Sequence, residues 1–337
     1  MHAPYTTNAS GSPPPSQQQS SEQDNASLPP TSFPVFTSIP EYRAWRREKL
    51  LKGETVGLVP TMGALHAGHL DLVRAAQKVA HHPVLSIFVN PAQFAPHEDL
   101  ARYPRTLPDD LKALEDLGKS AVSAVLVPQV HDMYPLGITL EVDKQRGAFV
   151  EVKGFSLQME GITRPHFFRG VATVVSKLFN IFQPDHVFFG QKDVQQCVVI
   201  RNLIRDLHFP IEMHIVPTTR HEDGLAMSSR NKYLTSEQRP HATVLHDALE
   251  LAAAQIKGGA IQRDLILRPA EQMIREKAKE IANPSWDVKL DYLSLVKSSD
   301  LQELDSLPQD ESEAIIVSGA MWVGSTRLID NVVLGKL

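Results

Sequence analysis

The sequence predicts an α/β protein, with a doubly wound parallel sheet over residues 35–217 and a smaller α+β unit over 218–337. Three observations predict it. Short apolar runs alternate with helical stretches from residue 55 to residue 217, the pattern of repeated strand-helix-strand units. Beyond Pro217 the chain turns polar and irregular. Its last three apolar runs then alternate with polar residues, as strands of a small antiparallel sheet do.

Residues 1–34 are rich in Ser, Pro, Gln and Asn and contain no Lys or Arg, the first basic residue being Arg43. That composition predicts a disordered tail. It lacks the arginines of a mitochondrial presequence and the apolar stretch of a secretory signal. "TVGLV" reads as the first strand of a βαβ unit. Proline and glycine in "PTMG" then predict a turn, a helix runs from about Ala67 to Ala80, and "PVLSIFV" is a strand that ends at Asn90. "SAVLVP" is a further strand. "GVATVVSKLFNIF" places Val171, Val174, Val175, Leu178, Ile181 and Phe182 at helical spacing. "HVFFG" reads as a buried strand, "QKDVQQCVVIRNLIRDL" as a helix and "IEMHIVP" as the next strand. In the second unit, helices are predicted near 236–256 and 262–281, and strands in "VKLDYLSLV", "AIIVSGAMWVG" and "TRLIDNVVL", with "QELDSLPQDESEA" as a solvated loop between strands.

Composition narrows the function. A net charge of −5 with no long Lys/Arg run argues against nucleic acid as the main partner, while leaving room for a local basic pocket. No apolar run reaches the roughly 18 residues of a membrane span. Cys197 is the sole cysteine, so an internal disulfide is excluded and a reducing, cytoplasmic setting is expected; it reads as a small buried helix residue.

The stretch "VPTMGALHAGHLDL" sets His66 and His69 three residues apart at a helix start. Both rings then share a face beside the unpaired N–H groups of the first turn, which makes an anion site. A neutral imidazole donates one hydrogen bond and a protonated one adds charge, which suits a triphosphate. Gly68 between them leaves room for a nucleotide. Zinc would need three or four ligands, and neither a cysteine pair nor an HExxH pattern accompanies these histidines; a purely structural role is the other alternative. In "FFGQKDVQQ", Lys192 and Asp193 follow a strand that ends at Gly190, placing a point charge for phosphate beside a carboxylate for a ribose hydroxyl. Asp at a helix start is favoured by the macrodipole in any case. "MSSRN", residues 227–231, offers two hydroxyls and a guanidinium on a loop able to close over a polyphosphate.

Four stretches carry a resemblance: "VPTMGALHAGHLDLVRAA", "SIFVNPAQFAPHEDLARYPRTLPDDL", "RGVATVVSKLFNIFQPDHVFFGQKDVQQ" and "DGLAMSSRNKYL". In this order they resemble the pantothenate synthetase (pantoate-β-alanine ligase) family, within the HIGH-type nucleotidyltransferase superfamily, over most of residues 36–337. The resemblance implies a Rossmann-like sheet and an ATP-dependent ligase. Pantoate and ATP would give pantoyl adenylate and pyrophosphate, and β-alanine would then displace AMP to form pantothenate. It implies Mg²⁺ with the ATP, a homodimer, and small-molecule partners only. His66 and His69 would contact the phosphates, and Pro60, Thr61 and Met62 would line the nucleotide and pantoate sites. Gly68, Gly190 and Thr219 would belong to the ATP site, Lys192 would neutralise phosphate charge and Asp193 would take the ribose. Met227, Ser228, Ser229 and Arg230 would form the mobile loop equivalent to a KMSKS segment. Met62, Asn90, Gln93 and Gln196 would bind pantoate, and the Asn90 amide would also serve the β-alanine step. Asp109 is the expected Mg²⁺ contact, with Asp110 as its competitor and a helix N-cap as the plain reading of both.

Where the family pattern has Arg-Pro-X-His-Phe, this chain has Arg164, Pro165, His166 and then Phe167. The usual histidine's contribution is therefore in question, and Arg164 is expected to support substrate or a subunit interface. "DKQRGAFVEVKG" and "QELDSLPQDESEA" look like decoration without chemistry. Two alternatives stay open on sequence: another HxGH adenylyl or cytidylyl transferase, which gives no reason for paired Gln93 and Gln196, and a non-catalytic nucleotide-binding protein, which would have lost His69, Lys192 or Arg230.

Overall fold

The computed structural model describes residues 29–96, 98, 100–281, 283, 285–309 and 313–337. Six parallel strands form the first sheet: β1 (Val35–Phe36), β2 (Val56–Thr61), β3 (His82–Ile87), β4 (Ala124–Leu126), β5 (His186–Gly190) and β6 (Glu212–Val216). Their order is β1-β4-β3-β2-β5-β6. The chain winds from β2 outward to β4, returns to β5 and proceeds to β6, so the winding reverses between β2 and β5. Such a switch point is where an open parallel sheet leaves a crevice. The register shows it directly. β2 pairs with β5 only at Gly57↔His186 and Leu58↔Val187, yet stays with β3 as far as Thr61↔Ile87, while β5 stays with β6 to Gly190↔Val216.

Helices cover both faces. On one side, α2 (Ala67–Gln77) and α3 (Leu107–Glu115) bury Leu72, Val73, Ala76, Leu111 and Leu114 against the sheet. On the other lie α1 (Ile39–Leu51), α6 (Phe167–Phe182) and α7 (Val194–Asp206), preceded by the short α4 (Val130–Met133) and α5 (Glu160–Thr163). The periodic face read in "GVATVVSKLFNIF" is core, and α6 is buried along most of its length. Cys197 is buried in α7 and burial pushes its thiol up, as its reading as an inert packing residue requires. In the second unit, α8 (Val244–Lys257) and α9 (Arg263–Glu280) share a core with the antiparallel sheet β7 (Val288–Lys297), β8 (Ile315–Val323) and β9 (Thr326–Leu334), in the order β7-β8-β9.

Several local expectations need correction. The turn placed at "PTMG" begins later, because β2 runs through Pro60 to Thr61. Proline is tolerated there for a reason of geometry. Even-numbered residues of β2 turn their backbone groups toward β5, as the Asp185 N–H donating to the Val56 carbonyl shows, and odd ones toward β3, as the Phe88 N–H donating to Thr61 shows. By Pro60 the β5 ladder has ended, so no hydrogen bond is forfeited. Helix α2 stops at Gln77, short of the expected Ala80, residues 191–193 are a 3-10 turn before α7, and α8 begins only at Val244.

Residues 1–28 of the expected tail lie outside the described residues, but its last residues belong to the fold. Phe33 is buried among Val59, Leu85 and Leu114, and the Pro34 carbonyl accepts from the Val125 N–H at 3.0 Å. The loop "QELDSLPQDESEA" is less solvated than its composition suggests. Leu304 and Leu307 pack on the second core, and its residues 310–312 lie outside the described ones.

Candidate active site

The crevice between β2 and β5 opens into a cavity of about 580 Å³, lined by the carboxyl ends of both strands, the start of α2, the turns after β3 and β5, and the segment 218–231, with β9 completing one wall. That volume suits a nucleotide-sized ligand. Of the site residues expected from sequence, all but Asp109 line it.

His66 is the N-cap of α2 in extended conformation, and a reciprocal capping box fixes both rings. The Gly68 N–H donates to His66 Nδ1 at 3.2 Å, and the His66 N–H donates to His69 Nδ1 at 3.3 Å. Because each Nδ1 accepts, the neutral ring must carry its proton on Nε2. Burial, then His69 and Lys192, pushes the His66 imidazole down to about 3; burial, then Lys192, pushes His69 down to about 4. The pair therefore offers two oriented N–H donors at neutral pH rather than added charge, and the positive charge comes from Lys192. Gly68 is closely enclosed by the capping geometry, since a Cβ there would stand 3.0 Å from the His66 ring.

The turn before α2 is pinned from α3. Asp110, buried, accepts from the Ala64 N–H at 3.0 Å and the Leu65 N–H at 2.7 Å, and the Thr106 hydroxyl donates to it as well. Burial raises its pKa while the two N–H groups pull the other way. Its carboxylate is thus committed to holding Ala64 at φ 51 and aiming the histidines. Asp109 is exposed on α3 and does not line the cavity, so its position lends no support to a metal contact.

After β5, Lys192 Nζ lies 3.2 Å from the Asp193 carboxylate. No local motif hints at what holds this turn. Asn331, buried in β9, donates to the carbonyls of Gln191 and Lys192, both at 2.9 Å. The adjacent Asp330 grips Arg220 at 2.6 and 2.9 Å, and Arg220 also donates to the Gly224 carbonyl. The second unit so fixes both the lysine turn and the root of the 227–230 segment. Thr219 spends its hydroxyl on Asp71 of α2 at 2.6 Å, and its carbonyl accepts from the Met227 N–H. Ser228 caps a 3-10 turn by accepting from the Arg230 N–H, Ser229 reaches the Tyr103 hydroxyl at 3.3 Å, and the Tyr233 hydroxyl donates to the Arg102 carbonyl.

The other end of the cavity is amide-rich. Asn90 is buried and its side chain makes three hydrogen bonds. It accepts from the Tyr134 hydroxyl at 2.6 Å and donates to the Gly170 carbonyl at 3.2 Å and to Gln93 Oε1 at 3.0 Å. These bonds set Gln93, and Asn90 itself also lines the cavity. Gln93, its Oε1 accepting from Asn90, lines the cavity. Gln196 lines the same space, while its neighbour Gln195 is turned inward on Glu160, Phe155 and Gln158. Arg164 braces the region through Glu98 at 2.6 and 2.7 Å and the Gln93 carbonyl at 3.2 Å. Phe167 lies under its guanidinium at 3.9 Å in a cation–π contact, and His166 is exposed. Glu160 and Arg327 form a bidentate pair at 2.7 Å across the two units. Among the described residues no third metal ligand joins His66 and His69.

This arrangement can hold a polyanion at the α2 and β5 end and a small hydroxy acid at the amide end. Comparison with known proteins gives the family. The family model described as pantoate-beta-alanine ligase matches residues 34–333. The chain is 47% identical to the pantothenate synthetase of Moorella thermoacetica over 84% of this chain and 92% of that protein. It resembles the crystal structure of pantothenate synthetase from Thermus thermophilus with TM-score 0.75 and 39% identity, covering 89% of this chain and 99% of that one. It also resembles the pantoate-beta-alanine ligase of Francisella tularensis, solved with beta-gamma ATP and beta-alanine, with TM-score 0.69 and 31% identity over 89% and 97% of the two chains.

Proposed function

The chain belongs to the pantoate-beta-alanine ligase family, and from this we propose that its cleft carries out the ATP-dependent condensation of pantoate with β-alanine to pantothenate through a pantoyl-adenylate intermediate. The observation that carries the reading is the division of one cavity into two ends. One end combines Nε2–H donors and the Lys192 charge, and the other presents the Gln93 and Gln196 amides.

In the first half-reaction a pantoate carboxylate oxygen attacks the α-phosphorus of ATP and the bond to pyrophosphate breaks. The nucleophile is already anionic, so orientation and charge neutralisation matter more than a protein base. His66 and His69 donate to phosphate oxygens as charge builds in the transition state. Lys192 neutralises the triphosphate, the 227–230 segment covers it, and Asp193 takes the ribose hydroxyls. Gln93 and Gln196 hold pantoate's hydroxyl and carbonyl oxygens so that its carboxylate meets phosphorus in line. In the second half-reaction the β-alanine amine attacks the acyl carbon and AMP leaves, keeping one oxygen that came from pantoate.

Mg²⁺ fits this cleft as a companion of the triphosphate. The carboxylates Glu98, Glu160, Asp193 and Asp330 that face the cavity each already hold a cation, so the ion would draw its oxygen ligands chiefly from phosphates and water. When bound it neutralises phosphate charge. A homodimer is carried over from the family resemblance. A cytoplasmic setting fits the single buried cysteine and the absence, among the described residues, of a helix long and apolar enough to cross a membrane.

The test is pyrophosphate release from ATP with pantoate present and β-alanine omitted. A stoichiometric, pantoate-dependent release is expected, followed by AMP and pantothenate on adding β-alanine. Release that requires β-alanine from the start would overturn the two-step scheme.

A further inference from the structure

Away from the catalytic cleft, at the opposite ends of the same strands, three side chains converge. His186 opens β5, and Glu212, its register partner, opens β6; His214 lies two residues further along β6, so all three share one face of the sheet. His186 Nδ1 lies 3.2 Å from His214 Nε2. Glu212 offers one oxygen to each ring, Oε2 at 3.4 Å from His186 Nδ1 and Oε1 at 3.7 Å from His214 Nε2.

From these distances we infer that His186, Glu212 and His214 form a binding site for a divalent transition-metal ion of the Zn²⁺ type, with a fourth position open to solvent. A tetrahedral zinc centre has bonds of about 2.0–2.2 Å, which sets its donor atoms about 3.3–3.6 Å apart along the tetrahedron's edges. The His186–His214 and His186–Glu212 separations of 3.2 and 3.4 Å lie close to that range, and with one donor atom taken from each residue all three lie within 4.8 Å of one another, so a small turn of the exposed Glu212 side chain completes the set. Two imidazole nitrogens and a carboxylate select borderline metals over Mg²⁺ and Ca²⁺, which prefer all-oxygen shells, so the site is chemically distinct from the cation that accompanies ATP. The rings are also held. His214 stacks on Phe188 at 4.7 Å with an 11° interplanar angle, and its side chain and that of His186 are 24% and 16% exposed, while Glu212 is 67% exposed. Two ligands are fixed by the sheet and the third is free to close.

β6 is the edge strand of the sheet, and a bound ion would staple its first residues to β5. Gly190, which lines the cleft, is four residues beyond His186, about 13 Å along the strand. Metal binding there stabilises the native state without touching substrate, because it favours the folded chain over the unfolded one.

The experiment is titration of the full chain with Co²⁺ in the absence of nucleotide, followed by visible absorption, with displacement by Zn²⁺ and melting temperature as further readouts. One equivalent per chain is expected, with the intense bands of a four-coordinate ion and a higher melting temperature under Zn²⁺. Glu212→Gln, on the surface, should keep the metal-free melting temperature and weaken Co²⁺ binding by more than about 10-fold, since even indirect losses around a metal reach that size. His214→Ala should abolish the bands. Unchanged bands in both variants, or no bands in the native chain at millimolar Co²⁺, would overturn the assignment.

Discussion

At the scale of single residues, the chemistry turns on where protons and amides point. The capping box commits both Nδ1 atoms of the histidine pair to the backbone, so their catalytic value lies in Nε2–H donors. His69→Ala or Lys192→Ala should lower the adenylation rate by about 10²-fold while the fold survives. Gln93→Ala or Gln196→Ala should instead raise the KM for pantoate about tenfold with little change for ATP, the size expected for losing one well-placed hydrogen bond. Steady-state kinetics varying each substrate separates the cases, and equal losses for both substrates in the glutamine variants would misplace the pantoate end. The depressed histidines also make stability depend on pH. Unfolded imidazoles protonate near pH 6.5, whereas His66 and His69 resist protonation down to about 3 and 4. Between those limits the unfolded chain binds more protons, so this contribution is intact above pH 6.5 and falls as pH drops. Urea midpoints at pH 7.5 and pH 5 should show a smaller loss in a His66→Asn, His69→Asn double variant than in the native chain.

Among the helices and strands, the cleft depends on close approaches that carry no local sequence signature. Gly170 at the start of α6 is one. A Cβ there would stand 2.2 Å from the Ala92 carbonyl oxygen and 2.6 Å from the Gln93 N–H nitrogen, so the turn bearing Gln93 would have to move. Gly170→Ala should therefore impair pantoate use more than ATP use and lower the melting temperature, measured by the same kinetics and by thermal scanning. This contrast explains what is legible in the sequence. His66, His69, Lys192 and the 227–230 segment announce themselves because a short motif joins a strand end to a helix start. Asn331, Tyr134, Asp110 and Gly170 act on residues 44 to 140 positions away, through the backbone or a single hydrogen bond, and nothing beside them in the chain marks that use. Asn90 combines the two cases, for a polar residue at the right strand end lines the cavity and also holds Gln93 through contacts distant in sequence, with Tyr134 and Gly170. Helix α1, in which only Tyr42 and Arg46 are buried, lacks the apolar stripe that makes α6 readable.

Across the molecule, two units share one cleft because β9 reaches back to the β5 turn and Arg327 pairs with Glu160. The α/β class follows from the alternation of strand and helix, whereas the order β1-β4-β3-β2-β5-β6, and with it the position of the crevice, is set by which face of the sheet each helix packs on and is not written in that alternation. Nor is the amino-terminal boundary, because Phe33 sits in a Pro- and Ser-rich context that gives no sign of its burial. A chain beginning at residue 29 should melt higher than one beginning at residue 35. Phe33→Ala should itself cost about 3–5 kcal/mol, the usual range for emptying a buried aromatic site, and matching melting curves for the two truncations would remove Phe33 from the core. That one cavity first joins pantoate to AMP and then releases it to an amine is best tested by isotope transfer. With pantoate labelled with ¹⁸O in its carboxylate, mass spectrometry of the AMP formed should find one ¹⁸O per molecule. AMP without label, alongside normal pantothenate formation, would contradict the adenylate and with it the division of roles between the two ends of the cleft.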